Sequence, residues 1–93
     1  MYTLKTNTGK TYKCTNFGIT PMGFVIATIE GINMPTAVTE FSKPEETETI
    51  TAQNQYGDEM TVRGYTVLQH VELLGTGIKI ALARPSAESE NTP

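Results

Sequence analysis

The sequence predicts a small antiparallel all-β domain of six to seven strands, closed as a barrel or a sandwich, with at most one short helical turn. Three observations predict it. The last part of the chain before the tail alternates apolar with polar or small residues through Glu59–Arg63, Tyr65–Leu73 and Gly77–Arg84, the period of half-buried strands. Phe24-Val25-Ile26-Ala27-Thr28-Ile29 is a β-branched apolar run too short for a helix of ordinary length. Turn residues punctuate the whole chain at short intervals.

The elements follow in order. Tyr2-Thr3-Leu4-Lys5-Thr6 and Thr11-Tyr12-Lys13-Cys14-Thr15 flank Asn7-Thr8-Gly9-Lys10. Asn and Gly adopt positive φ at little cost, so this reads as a hairpin that sets Tyr2 and Leu4 near Tyr12 and Cys14. Residues 16–23, with two glycines and a proline, read as a connection. The 24–29 run is a central strand. Residues 30–35 turn the chain, and Thr36–Phe41 is a weaker strand, with Pro35 at its start or at an edge.

Ser42-Lys43-Pro44-Glu45-Glu46 is the single helix-start signature, a Ser followed three residues later by Glu. The threonines at 47, 49 and 51 favour a strand, so helix is confined to residues 42–46. A polar loop at 53–58 precedes the closing strands. Gly64 marks a bulge or bend, and Leu74-Gly75-Thr76-Gly77 a hairpin turn. Ile26, Val67, Ile78, Ile80 and Leu82 are the expected core, and Val67, Val71 and Leu73 are expected to share a face. Residues 1–84 form one domain; residues 85–93 form a polar, disordered tail that folding does not need.

Composition limits function. A single domain of 93 residues, 38% hydrophobic and without Trp, has a thin core that oligomerisation would help. Seven Lys and Arg face ten Asp and Glu, and because Glu88 and Glu90 lie in the tail the body is near neutral. That argues against nucleic acid, which calls for a basic stripe. One cysteine, Cys14, permits neither an internal disulfide nor a multi-thiolate zinc site. The N-terminus lacks a secretory apolar segment, and no apolar run reaches the roughly 18 residues of a membrane span. The expectation is residence in a cytoplasm, with no membrane partner.

Chemical candidates are few. His70, the one histidine, would have to serve as base for any Cys14 nucleophile, and no Gly-x-Ser-x-Gly elbow accompanies it. Glu45, Glu46, Glu48, Asp58 and Glu59 read as a solvated loop and not as a cation loop. The Gly75-Thr76-Gly77 run lacks the helix and lysine of a phosphate loop. Tyr56, Tyr65, Phe17 and Phe41 read as core or interface anchors. No cofactor, metal or catalytic residue is expected. For a small anionic ligand the basic residues near the closing strands are Arg63, Lys79 and Arg84, with Tyr65 beside them.

Residues 2–12, the Phe41–Thr47 segment and Arg63–Leu68 together resemble small uncharacterised β-rich proteins of tailed phages and prophages of Gram-positive bacteria. The likeness spans most of residues 1–84. It implies a structural or assembly protein acting through protein–protein contacts, as a homo-oligomer or against a phage or host protein, in the bacterial host cytoplasm or in the virion. The alternative it implies is a host-directed module that inhibits a bacterial protein or sequesters a small signalling ligand.

Overall fold

The computed structural model describes residues 1–85; the tail expected to be dispensable lies outside them apart from Pro85. Seven strands form one antiparallel sheet: β1 (Tyr2–Lys5), β2 (Thr11–Ile19), β3 (Val25–Glu30), β4 (Thr49–Asn54), β5 (Glu59–Arg63), β6 (Val67–Leu74) and β7 (Gly77–Ala83). Two short helices, α1 (Met34–Phe41) and α2 (Pro44–Thr47), separate β3 from β4. The spatial order is β5-β4-β1-β2-β3-β7-β6. The mostly β character and the strand number agree with the sequence reading.

Closure into a barrel does not occur, since β5 and β6 end the sheet unpaired with each other. The sheet is nonetheless strongly curled. Gly64-Tyr65-Thr66 alone joins these two edge strands, and so short a link spans at most about 14 Å. Seven strands laid flat would separate their edges by roughly 29 Å.

Cross-strand partners share a face, so the register defines the core. Val25, Ala27 and Ile29 of β3 lie opposite Leu82, Ile80 and Ile78 of β7. Leu4 of β1 lies between Tyr12 and Ala52, and Ile50 of β4 lies opposite Val62 of β5. These residues, with Cys14, Ala37, Phe41 and Tyr65, make up the buried centre, against which the half-buried Tyr12 packs. Ile78, Ile80 and Leu82 are core, as expected. Ile26 and Val67 are not: both are only partly buried, pairing with Ala81 and Ala83 on the other face. A bulge between Leu68 and His70 shifts the register of β6, so Leu68 and Val71, not Val67, pack against the core.

Three further readings change. The 36–41 segment is the C-terminal part of α1, not a strand. The Asn33 side chain accepts the Thr36 N–H at 2.8 Å, Pro35 occupies the first turn, and Ala37 and Phe41, one helical repeat apart, are buried. Two helices thus replace the single expected turn. Ser42 ends α1 as its C-cap; α2 begins after Lys43, with no side-chain cap. The 16–23 connection shrinks because β2 runs on to Ile19 past a bulge between Cys14 and Asn16.

Candidate functional site

Of the residues expected to hold an anionic ligand, the fold assembles three and leaves out the fourth. Gly64 has φ +81°, a conformation that favours glycine, and it turns the chain out of β5 while its N–H donates to the Glu48 carbonyl at 2.8 Å. Tyr65 then enters the core. The Arg84 guanidinium lies 4.7 Å from the Tyr65 ring centroid, a cation–π distance, and its Nε–H donates to the Arg63 carbonyl at 3.3 Å. Arg63 reaches the other way, donating to Thr49 Oγ1 at 3.4 Å. Lys79 sits on β7 opposite Glu72 and Thr28, five residues before Arg84, or roughly 17 Å along a strand. The corner therefore presents two guanidinium groups, neither in an ion pair among the described residues.

A second polar cluster escaped the sequence reading. Glu45 and Glu48 are exposed, as a solvated loop requires, but Glu46 is 5% exposed. Its Oε1 accepts from Thr6 at 2.8 Å and Thr8 at 2.6 Å, and Oε2 lies 3.4 Å from Lys10 Nζ. Lys10 also meets Glu40 at 2.5 Å, and Lys43 Nζ meets Glu40 at 3.4 Å. Donation by the Thr8 and Thr6 hydroxyls holds the Glu46 carboxyl below its usual pKa, and Lys10 does the same for Glu40. The Glu40 carboxylate in turn raises the Lys10 ammonium. The Asn7 N–H donates to the Glu46 carbonyl at 2.9 Å. Every part of this cluster is occupied in fastening the β1–β2 turn to the helices. The one signal available in sequence was the run of hydroxyls at Thr6 and Thr8 beside Lys10, which has no local partner.

The two residues weighed for catalysis lie apart. Cys14 faces the core from β2, whereas His70 is exposed on β6, three strands away in the sheet. Burial pushes the Cys14 thiol pKa up, and its S–H donates to the Asn16 carbonyl at 2.7 Å. His70 Nε2 lies 2.6 Å from Glu72 Oε1.

What remains exposed is apolar surface and strand edge. An open cleft of about 580 Å³ lies along the bulged half of β2, lined by Tyr2, Phe17, Ile19 and Ile26 among others. Met60 on β5 and Leu73 and Leu74 on β6 are 47%, 68% and 47% exposed, all on the edge strands. No helix among the described residues is long and apolar enough to cross a membrane. Comparison with family models, curated proteins and solved structures finds no match to this chain.

Proposed function

We propose that this protein acts by contact, as a structural or assembly protein of a phage or prophage whose partners are protein surfaces. The observation that carries the reading is the open sheet, whose two edge strands also bear exposed Met60, Leu73 and Leu74. An unpaired edge offers backbone donors and acceptors to another chain, and exposed apolar side chains add burial to that contact. The phage assignment rests on the resemblance of residues 2–12, 41–47 and 63–68. The test is quantitative mass spectrometry of particles and assembly intermediates purified from an induced lysogen that encodes the chain. The reading expects the protein at a fixed stoichiometry in one of these fractions; its absence from all of them overturns it.

A second reading, a host-directed module for a small anionic ligand, is favoured by the Arg63–Tyr65–Arg84 corner. There two guanidiniums lack a carboxylate partner among the described residues, and an aromatic ring is already in place. Calorimetric titration with mononucleotides tests it: binding that Arg84→Gln weakens supports the ligand role, and no heat at millimolar nucleotide removes it.

A further inference from the structure

We propose that β5 pairs with β5 of a second copy of this chain, antiparallel, about a two-fold axis through Thr61. The inference rests on the contact-forming reading above and names its partner and register.

The backbone fixes which groups are available. The Gly64 N–H points into the sheet, donating to Glu48, and Asp58 likewise uses its carbonyl inward, accepting from the Asn54 N–H at 2.9 Å. Strand groups alternate in direction, so the even-numbered residues of β5, Met60 and Val62, bond to β4. Glu59, Thr61 and Arg63 turn both N–H and C=O toward the free edge, where the Arg63 carbonyl already accepts from the Arg84 side chain at 3.3 Å. The side chains agree: Thr51 and Thr61, directly opposite each other, bring their hydroxyls to 3.1 Å, as the closer non-hydrogen-bonded pairs do.

An axis through Thr61 then makes Thr61 a hydrogen-bonded pair with itself and places Glu59 opposite Arg63 of the second copy at both ends. All five residues are used, with about four backbone hydrogen bonds formed between free groups and about two more where Arg84 yields the Arg63 carbonyl. Side-chain chemistry selects the same register. Glu59 and Arg63 are both exposed and have no ion-pair partner among the described residues. Four residues apart on one strand, at roughly 13 Å, they cannot pair with each other. Reversing the strand on itself brings each to the other's complement. On the core face the same register sets exposed Met60 beside Val62 of the second copy. An axis through Met60 or Val62 would oppose neither Glu59 to Arg63 nor the full length of the strand.

Of the features that blunt an edge, β5 lacks a bulge, Pro and Lys, and its two charged residues, Glu59 and Arg63, are complementary in this register. Its pairing with β4 is unbroken over Glu59–Arg63. β6 differs, carrying a bulge and packing against α1.

Sedimentation velocity of the whole chain from 5 to about 300 μM tests the proposal. The expected result is a reversible dimer that Arg63→Glu weakens at least tenfold by opposing two carboxylates at each end, and that the exchange Glu59→Arg with Arg63→Glu restores. A second variant does not depend on those charges. Thr61→Cys should cross-link to itself with a short bis-thiol-reactive reagent, because a hydrogen-bonded pair holds its Cα atoms about 5.5 Å apart and its Cβ atoms just beyond direct disulfide reach. Thr51→Cys, one strand inward, should not. A wild-type chain that stays monomeric throughout, or a Thr61→Cys chain that does not cross-link, overturns the pairing. So does a folded Arg63→Glu chain that dimerises as tightly as the parent. A monomer found in particles removes the pairing alone, whereas a dimer absent from every particle fraction removes the assembly reading alone.

Discussion

The two ends of this sheet are built to different rules. At the β6 end the strand lies beside β7, its register is broken by a bulge, and α1 packs against it. At the β5 end the ladder is regular, β4 is the flanking strand, and only Val62 of the five residues is buried. Curling brings both edges to the Gly64-Tyr65-Thr66 link without pairing them. A small open sheet can therefore shield one edge with bulge and helix and leave the other ready for a partner. The difference teaches that exposure alone does not mark a docking edge. Leu73 of β6 is more exposed than Met60 of β5, yet the regular, charge-complementary strand is the one prepared to pair.

The largest effect comes from breaking the shielded end at its foundation. Ile80 is fully buried on β7, opposite Ala27 on one side and Val71 on the other. Ile80→Ala should cost about 2–5 kcal/mol by removing packed methylenes and leaving a cavity. Urea denaturation measures it; an unchanged midpoint would show that the β3–β7–β6 region does not carry the core.

A smaller effect separates the helix attachment from the sheet. Glu46 and Glu40 have lowered pKa values in the folded chain, so the unfolded chain binds more protons as acid is added. Their stabilisation is fully present above the ordinary value of 4.5 and is lost as pH falls through the lowered folded values. Glu46→Gln should flatten this acid limb of unfolding free energy against pH and lower stability at neutrality. A variant with the parent's acid profile would show that the attachment contributes nothing.

Smaller still is the corner where the edges meet. Arg84→Gln removes the guanidinium stacked on Tyr65 and should destabilise by about 0.5–1 kcal/mol, the usual worth of an exposed cation–π contact. Thermal unfolding of monomeric protein reads this out, and a loss of several kcal/mol would mean that the corner holds the two edges together.

Much of this architecture was legible in the sequence. Period-two patterning and one β-branched apolar run located the seven strands, together with a false one at 36–41, and the run from Gly77 to Ala83 was readable because Ile78, Ile80 and Leu82 alternate with smaller or polar residues. The helix at Met34–Phe41 was not readable as such. Thr36 and Val38 flank Ala37 in a strand-like alternation, and the i,i+4 relation of Ala37 to Phe41 gains meaning only once both are seen in the core. Ile26 was misplaced because the 24–29 run is apolar on both faces and gives no alternation to choose between them; the Val67 error is a register error. A bulge is one residue without a sequence signal, yet it exchanges the faces of everything beyond it. Burial of Glu46 was hidden for another reason: its partners Thr6 and Thr8 lie about 40 residues away in sequence, and only the folded β1–β2 turn brings them in. The ligand corner was half legible, with Arg63, Tyr65 and Arg84 meeting and Lys79 remaining on the strand.

The difference between the two edges is tested most directly by amide hydrogen exchange, resolved residue by residue, at low and high protein concentration. The account predicts that the Glu59, Thr61 and Arg63 amides exchange freely when dilute and become protected together as concentration rises. Met60 and Val62 should be protected by β4 at every concentration, and the outward amides of β6 should remain unprotected or change little. Odd-numbered β5 amides that stay open at every concentration, or protection that grows along β6 instead, would contradict it.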